Sequence, residues 1–292
     1  MRKFDRFLAI DWSGAKGERH KGIALALANS AGGPPKLAKA SGLWSRADVL
    51  ALLRDLPDNT LVGLDLGISL PFTDCAAFFP HWDRSPKSAK DLWAFIDDIC
   101  SSDPHLEASN FVDHPEISRY FRRHGGREGD RFSCDNAQHG RGRLRVTELA
   151  QARMGLKPYS NFNLVGAAQV GKSSLTGMRL LHQLRATLPV WPIDPLPVSG
   201  SVVAEIYTSL AAVEAGRSAS KTKIRNIAEL NIALSNLDSP PITGDGAIDD
   251  HSSDALLTAA WLRKVASEPA RWQPNALTPK IAQTEGWTFG AL

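Results

Sequence analysis

The segment Phe7-Leu8-Ala9-Ile10-Asp11-Trp12-Ser13-Gly14 carries the clearest indication of fold class in the chain. Its first four residues form an apolar run typical of a buried strand, and Asp11 follows directly where that run ends. Ser13 and Gly14 then indicate a turn, because both residue types favour turn conformations. The segment therefore predicts a first strand that delivers the carboxylate of Asp11 to one edge of a sheet.

Two more strands are predicted in hairpin order after this first one. The apolar run Gly22–Ala28 predicts the second strand, and residues 36–43 predict the third. Between them, Gly32-Gly33-Pro34-Pro35 is a strong turn signal. We therefore expect the first three strands to be antiparallel.

The next part of the chain has the pattern of a helix followed by a returning strand. Residues 45–56 carry their apolar side chains at helical spacing, and residues 61–66 then form a buried run that contains Asp65. A helix in this position usually crosses over the sheet. Strands joined by such a crossover run parallel, so we expect Asp65 to end its strand at the same edge as Asp11.

The character of the sequence changes between residues 73 and 200, where prolines interrupt short helical pieces. Beyond this segment, residues 202–207 resume the strand pattern and contain Glu205. We therefore predict an α/β core formed by residues 1–72 and 201–292, interrupted by a helical, partly basic insertion at 73–200.

The composition is that of a globular protein, with 292 residues of which 43% are hydrophobic and 22% charged. Cys75, Cys100 and Cys134 form no C-x-x-C pair, which argues against a disulfide framework or a zinc site. The apolar runs are too short for a signal peptide or for a membrane span of about 20 residues. These features favour a cytoplasmic protein without membrane contact. The net charge of +3 does not by itself indicate a nucleic-acid-binding protein.

Several carboxylates follow or precede the apolar runs of these elements. They belong to Asp11, Asp65, Glu205, Asp250 and Asp254. Clustered carboxylates repel one another unless cations lie among them, so the pattern predicts a Mg²⁺ or Mn²⁺ site at the common edge of the sheet. His251 and Asp254 are three residues apart, which on a helix places them on one face that completes the site.

Each of these acids also has an ordinary structural interpretation. Acidic residues close to a helix start, such as Asp249, Asp250 and Asp254, are typical of capping. Asp11 before a Ser-Gly turn fits ordinary turn chemistry, and Glu205 fits a solvated strand end. It is the joint pattern that favours a shared site over these separate interpretations.

The order of five short motifs resembles the ribonuclease-H-like superfamily, and within it the predicted nucleases called domain of unknown function 429. The motifs are Ala9-Ile10-Asp11-Trp12-Ser13-Gly14-Ala15, Gly63-Leu64-Asp65-Leu66-Gly67-Ile68-Ser69-Leu70-Pro71, Glu205-Ile206-Tyr207, His251-Ser252-Ser253-Asp254-Ala255-Leu256 and Glu285-Gly286-Trp287-Thr288-Phe289-Gly290. The resemblance covers most of the chain. It implies a mixed sheet flanked by helices, with its first three strands antiparallel, and carboxylates from the first strand, the fourth strand and a late helix that bind two divalent ions.

The segment around His251 also resembles the last catalytic helix of Holliday-junction resolvases in the same superfamily. The resemblance implies a metal-dependent nuclease that hydrolyses phosphodiesters in structured nucleic acid. It assigns metal-ligand roles to Asp11, Asp65 and Asp254, a ligand or proton-donor role to His251, and peripheral or alternative roles to Glu205 and Asp250. The chain departs from the pattern in two respects, since Asp65 stands where Glu is frequent and the central segment is longer than in compact resolvases.

Gly166–Ser173 matches the phosphate-loop pattern G-x-x-x-x-G-K-[ST] in full. In such a loop Lys172 contacts phosphates and Ser173 contacts a magnesium ion. No clear apolar strand ending in Asp follows to supply the second magnesium ligand, so the pattern favours a helix start that binds anions over a nucleotide hydrolase. A second ATP-binding alternative is an actin-like protein that uses Ser13 and Gly14 as a phosphate turn.

Residues 119–145 contain eight arginines against three acids. The candidate phosphate contacts there are Arg122, Arg123, Arg141 and Arg143, with Tyr120, Phe121 and Phe132 as aromatic side chains that could stack on bases. A solvated loop with structural salt bridges is an equally good interpretation. A non-catalytic nucleic-acid-binding module therefore stays open as a third function, and the segment does not distinguish DNA from RNA.

Overall fold

The computed structural model describes residues 2–133, 142–166 and 169–292. A six-stranded mixed sheet lies at its centre, and a second, two-stranded sheet lies beside it. The strands are β1 (Arg6–Asp11), β2 (Arg19–His20), β3 (Ala24–Asn29), β4 (Lys36–Leu37), β5 (Trp44–Ser45), β6 (Thr60–Asp65), β7 (Val190–Trp191) and β8 (Val202–Glu205). The order in the large sheet is β4-β3-β1-β6-β8-β7, while β2 and β5 form the small one.

The strand directions confirm the predicted mixed sheet. β1, β3 and β4 are antiparallel neighbours, whereas β1, β6, β8 and β7 run parallel. The third strand was predicted too long, because β4 has two residues rather than the eight of 36–43. Both residues of β4 are exposed at the sheet edge, so little apolar burial is available there to extend the pairing.

Helices cover both faces of the large sheet. They are α1 (Arg46–Arg54), α2 (Ala89–Ile99), α3 (Ser109–Asp113), α4 (Val146–Arg153), α5 (Val170–Leu184), α6 (Thr208–Glu214), α7 (Ile227–Asn236), α8 (Asp250–Val265), α9 (Pro269–Trp272) and α10 (Pro279–Thr284). One apolar layer joins the sheet to α1, α2 and α5, and the other joins it to α6, α7 and α8. Among the described residues, no helix combines the length and the apolar content that crossing a bilayer requires.

Residues 73–200 do not form a body apart from the sheet. The helices α2 and α5 of this segment pack in one apolar cluster with β1 and β6, and β7 is an edge strand of the sheet itself. The packed core therefore extends beyond residues 1–72 and 201–292. Of the three cysteines, Cys100 is a buried free thiol, and Cys134 lies outside the described residues.

The alternation of side chains along β1 decides which helical layer Asp11 faces. Leu8 and Ile10 belong to the α2 and α5 layer, whereas Phe7 and Ala9 belong to the α8 layer. Since successive side chains of a strand point to opposite faces, Asp11 shares the α8 side with Phe7 and Ala9. The same alternation along β6 puts Asp65 on that side.

Candidate functional site

Asp11 and Asp65 end two neighbouring parallel strands and are directly opposed in the register of β1 and β6. The helix α8 packs across β1 and β3 and brings His251 to this edge of the sheet. The Nδ1 atom of His251 lies 2.8 Å from Oδ2 of Asp11, although 240 residues separate the two in sequence. Asp254, three residues further along α8, completes the group of side chains that the sequence predicted to converge.

The carboxylates in this group repel one another. Burial raises the pKa of Asp65 well above its usual value, and the charges of Asp11 and Asp254 raise it further. Burial and then the charges of Asp11 and Asp250 raise the pKa of Asp254 to about 7. The Oγ1 atom of Thr208 donates a long hydrogen bond of 3.3 Å to Asp65, which compensates weakly for this burial. The structure thus places carboxyl groups at the sheet edge where burial and mutual repulsion disfavour their charged forms.

His251 is the hydrogen-bond partner of Asp11. Burial raises the pKa of Asp11, and the hydrogen bond to His251 opposes that shift. The same hydrogen bond raises the pKa of His251, whose side chain is 45% exposed. The imidazole is therefore oriented by Asp11 while remaining accessible, an arrangement in which it can hold and deliver a proton near neutral pH.

The two acids at the start of α8 have structural roles. The carboxylate of Asp249 accepts a hydrogen bond of 2.9 Å from the backbone N–H of Ser252, so the capping interpretation is confirmed for this residue. Asp250 forms an ion pair with Lys223. The lysine engages the carboxylate in this arrangement, and the alternative ligand role of Asp250 stays a prediction.

Glu205 faces the opposite side of the sheet from Asp65. Its neighbour two positions earlier, Val203, packs in the α2 and α5 layer, and strand alternation places Glu205 on that same side. There Oε1 of Glu205 lies 2.6 Å from Nη2 of Arg145. The prediction of Glu205 as an alternative metal ligand is therefore wrong, since a buried arginine binds its carboxylate.

The turn after β1 is fixed by an arginine that the sequence analysis missed. The guanidinium of Arg46 is 1% exposed and donates hydrogen bonds of 3.1 and 2.9 Å to the backbone oxygen of Ser13. The N-terminal part of α5 presses on the same turn, because a Cβ added to Gly14 would lie 2.3 Å from the carbonyl carbon of Lys172. The two predicted phosphate-binding segments, Ser13-Gly14 and Lys172-Ser173, therefore touch.

This close approach predicts that Gly14→Ala destabilises the protein by about 3 kcal/mol, because the new methyl group can fit only if α5 moves away. Gly17→Ala is the control without a steric clash, since its added Cβ meets no atom within 4 Å and its positive φ of 105° costs roughly 1–2 kcal/mol. Urea unfolding of both variants measures the difference. A larger loss in Gly17→Ala than in Gly14→Ala would contradict the tight packing of the turn on α5.

The segment that matches the phosphate-loop pattern is not preceded by a strand of the sheet. Residues 161–166 form turns and an isolated bridge, and α5 begins at Val170. Residues 167 and 168 lie outside the described part of the chain. The strand-loop-helix context of a nucleotide-hydrolysing loop is therefore missing from 161–166.

Several arginines in the described part of the arginine-rich segment pair with acids of the fold. Arg143 is 1% exposed, with Nη2 2.6 Å from Oδ1 of Asp74, so its prediction as a phosphate contact is wrong. Arg123 reaches Asp113 at 3.4 Å, and Arg141 lies outside the described residues. Arg122 keeps 44% of its side chain exposed and remains a candidate. The predicted stacking role is also wrong for three aromatic side chains, because all are buried in the core: Tyr120, Phe121 and Phe132.

A cavity of about 280 Å³ opens beside Asp65. We call it the aromatic cavity, because Trp12, Tyr159 and Tyr207 contribute to its walls. Trp12 and Tyr207 stand in two of the motifs that carry the resemblance, but no role was predicted for either residue. Both follow predicted strand-end carboxylates within two residues, and that position at the edge of the sheet was the available signal.

The chemistry of Asp11, Asp65 and Asp254 suits a hard divalent cation, since carboxylate oxygens are the preferred ligands of Mg²⁺ and Mn²⁺. Within residues 2–133, 142–166 and 169–292, no three His, Cys, Asp or Glu side chains already stand in an arrangement that could hold a metal ion. Binding of a cation at these carboxylates therefore requires their side chains to turn toward it. No protein-family profile matches the chain, and comparisons with curated proteins and with solved structures find no similar protein.

Proposed function

We propose that the protein is a divalent-metal-dependent nuclease of ribonuclease-H-like fold that hydrolyses phosphodiester bonds in structured nucleic acid. The observation that carries this proposal is the convergence of Asp11, Asp65 and Asp254, whose pKa values are all raised by burial. Retaining repelling carboxylates in one place costs stability unless a cation neutralises them.

The topology supports the ribonuclease-H-like assignment. Three antiparallel strands are followed by parallel strands on the other side of β1, and the two strand carboxylates lie in register across β1 and β6. A late helix, α8, adds the third carboxylate from the layer that covers this part of the sheet. These are the features that the resemblance implies for the superfamily.

The residues of the site would have two roles, which are binding the cation and transferring a proton. Asp11, Asp65 and Asp254 would hold Mg²⁺ or Mn²⁺, which supplies neutralisation of phosphate charge and activation of water when bound. His251, oriented at 2.8 Å by Asp11 and half exposed, would protonate the leaving oxygen. The turn at Ser13 and Gly14 follows Asp11 in the chain and packs against the start of α5.

We expect the stability of the protein in EDTA to fall as the pH rises from 4 to 8. The folded-state pKa values of Asp65 and Asp254 are raised, and the latter reaches about 7, so the folded state binds more protons than the unfolded state in this interval. Added Mg²⁺ or Mn²⁺ should raise the melting temperature more at pH 8 than at pH 5.5, because protons compete with the cation at low pH. Calorimetry at both pH values measures this, and an equal shift at the two would count against a site at these carboxylates.

The activity is tested by incubating the protein with labelled branched, single-stranded and duplex DNA and RNA in Mg²⁺, in Mn²⁺ and in EDTA. Cleavage that requires the cation supports the proposal. ATP turnover without cleavage would support the actin-like alternative instead. Nucleic-acid binding that persists in EDTA, without cleavage under any condition, would support the non-catalytic module.

A further inference from the structure

Two cavities lie at the N-terminal end of α5. The first is the aromatic cavity, which Asp65 also lines. The second has a volume of about 430 Å³, and we call it the basic cavity because Arg122, His124 and Lys172 line it. The metal-holding role proposed above assigns no ligand to either cavity.

The walls of the aromatic cavity suit a flat, unsaturated ring. Trp12 is held in place by a hydrogen bond of 3.0 Å from its Nε1 to Oγ1 of Thr176, and Tyr159 and Tyr207 stand on other parts of the lining. Gln169 adds an amide. Its volume of about 280 Å³ lies just below the range of roughly 300–1,000 Å³ that is usual for small-molecule sites, so one nucleobase fits the space better than a larger ligand.

The basic cavity suits a phosphate. Arg122, His124 and Lys172 are joined there by the backbone of three glycines, and its described lining contains no Asp or Glu. The glycines are Gly125, Gly126 and Gly166. Arginine paired with lysine in an acid-free recess is the arrangement that binds phosphate oxygens. The carboxylate of Glu128 approaches Nε of Arg122 at 3.8 Å, which leaves the guanidinium available to an anion.

The two cavities are neighbours along the chain as well as in space. Gln169 lines both of them. Ser173 lines the aromatic cavity, while the preceding residue Lys172 lines the basic cavity. A ligand that fills both therefore needs a ring at one end and an anion at the other, which is the composition of a nucleotide.

We propose that these cavities bind one unpaired nucleotide of the substrate, with its base in the aromatic cavity and an adjacent phosphate in the basic cavity. The proposal rests on the proposed nuclease function and names its substrate class as nucleic acid that presents an unpaired nucleotide beside the cleaved bond. A paired base is stacked within its duplex and cannot enter a recess of this kind unless it is extruded.

The binding step is tested without metal, so that it does not depend on cleavage. Isothermal titration calorimetry in EDTA compares adenosine 5′-monophosphate with ribose 5-phosphate, which lacks the base. We expect the nucleotide to bind at least about 10-fold more tightly, since stacking contributes roughly 1–3 kcal/mol per base. Equal binding of the two compounds, or binding of neither, would overturn the proposal.

Two pairs of variants locate the ligand. Tyr159→Ala should weaken nucleotide binding about 10-fold, and Tyr159→Phe, which keeps the ring, should restore it. Lys172→Gln should weaken both compounds, whereas Lys264→Gln, at the far end of α8, should leave both unchanged. Loss of ribose 5-phosphate binding in Tyr159→Ala, or unaltered binding in Lys172→Gln, would contradict the assigned positions.

A cleavage assay tests the proposed substrate class separately from nucleotide binding. In Mg²⁺ we expect a duplex with a three-nucleotide bulge to be cut faster than the same duplex without it, and Tyr159→Ala to remove that preference. Equal cleavage of the two duplexes by the wild-type protein would refute the substrate assignment and leave the nuclease function standing. Nucleotide binding without cleavage of any substrate would refute the nuclease function alone.

Discussion

Asp11→Asn is expected to lower the rate of phosphodiester cleavage by about 10²–10³-fold, the scale on which loss of one preorganised electrostatic contact acts in catalysis. Asp11 is central because it is in register with Asp65, contacts His251 at 2.8 Å and repels Asp254. The amide removes one negative charge from the cation site and also weakens the orientation of the imidazole. Initial rates in saturating Mg²⁺ and Mn²⁺ measure the effect.

The same variant should leave the folded state intact. In EDTA at pH 8 we expect Asp11→Asn to melt no lower than the wild-type protein, because removing one of the repelling charges compensates for the lost ion pair. Asp238→Asn is the matched control, since this acid is 82% exposed, and its φ of 56° is one that asparagine tolerates. Full cleavage activity in Asp11→Asn would eliminate the carboxylates as the catalytic centre.

Arg145→Met is expected to lower the free energy of unfolding by about 3–5 kcal/mol, the usual result of removing one partner from a buried charge network. The guanidinium of Arg145 is 1% exposed and lies 2.6 Å from carboxylate oxygens of both Glu148 and Glu205. It also donates a hydrogen bond of 3.0 Å to the backbone oxygen of Glu285. Methionine fills a similar volume but leaves two buried carboxylates without their cation.

Urea denaturation measures this loss of unfolding free energy. Two further variants show how much of it comes from the buried charges. Arg217→Met removes a more exposed pair with Glu229 and should cost less than about 1 kcal/mol. Adding Glu148→Gln to Arg145→Met should recover part of the stability, because one of the stranded charges is then absent. A loss in Arg145→Met no larger than that in Arg217→Met would show that the network contributes little.

The sequence alone could predict the strand carboxylates because each ends an apolar run. The predicted mixed sheet is confirmed, and with it the placement of Asp11 and Asp65 at one edge. Glu205 looked equivalent by the same criterion, yet it faces the other layer of helices. Which face a side chain occupies depends on the register of its strand against its neighbours, and the end of an apolar run does not reveal that register.

The burial of two arginines could also not be predicted from the sequence. Arg143 and Arg145 stand in a basic segment that suggests an exposed, phosphate-binding loop, but both are buried. Their carboxylate partners include Asp74 and Glu205, which are 69 and 60 residues away in the chain. Local charge density cannot predict pairing across such separations, because the pairs form only when the sheet and its helices are assembled.

The contact between Asp11 and His251 joins residues 240 positions apart, and it has a consequence for protein synthesis. The ribosome must complete residue 254 before the third carboxylate of the site exists at all. Until α8 has been made, β1 lacks the helix that covers it. Contacts between segments so far apart in sequence slow folding. Under the nuclease function proposed above, a nascent chain therefore cannot cut nucleic acid, including the messenger from which it is being translated, until residue 254 has been made.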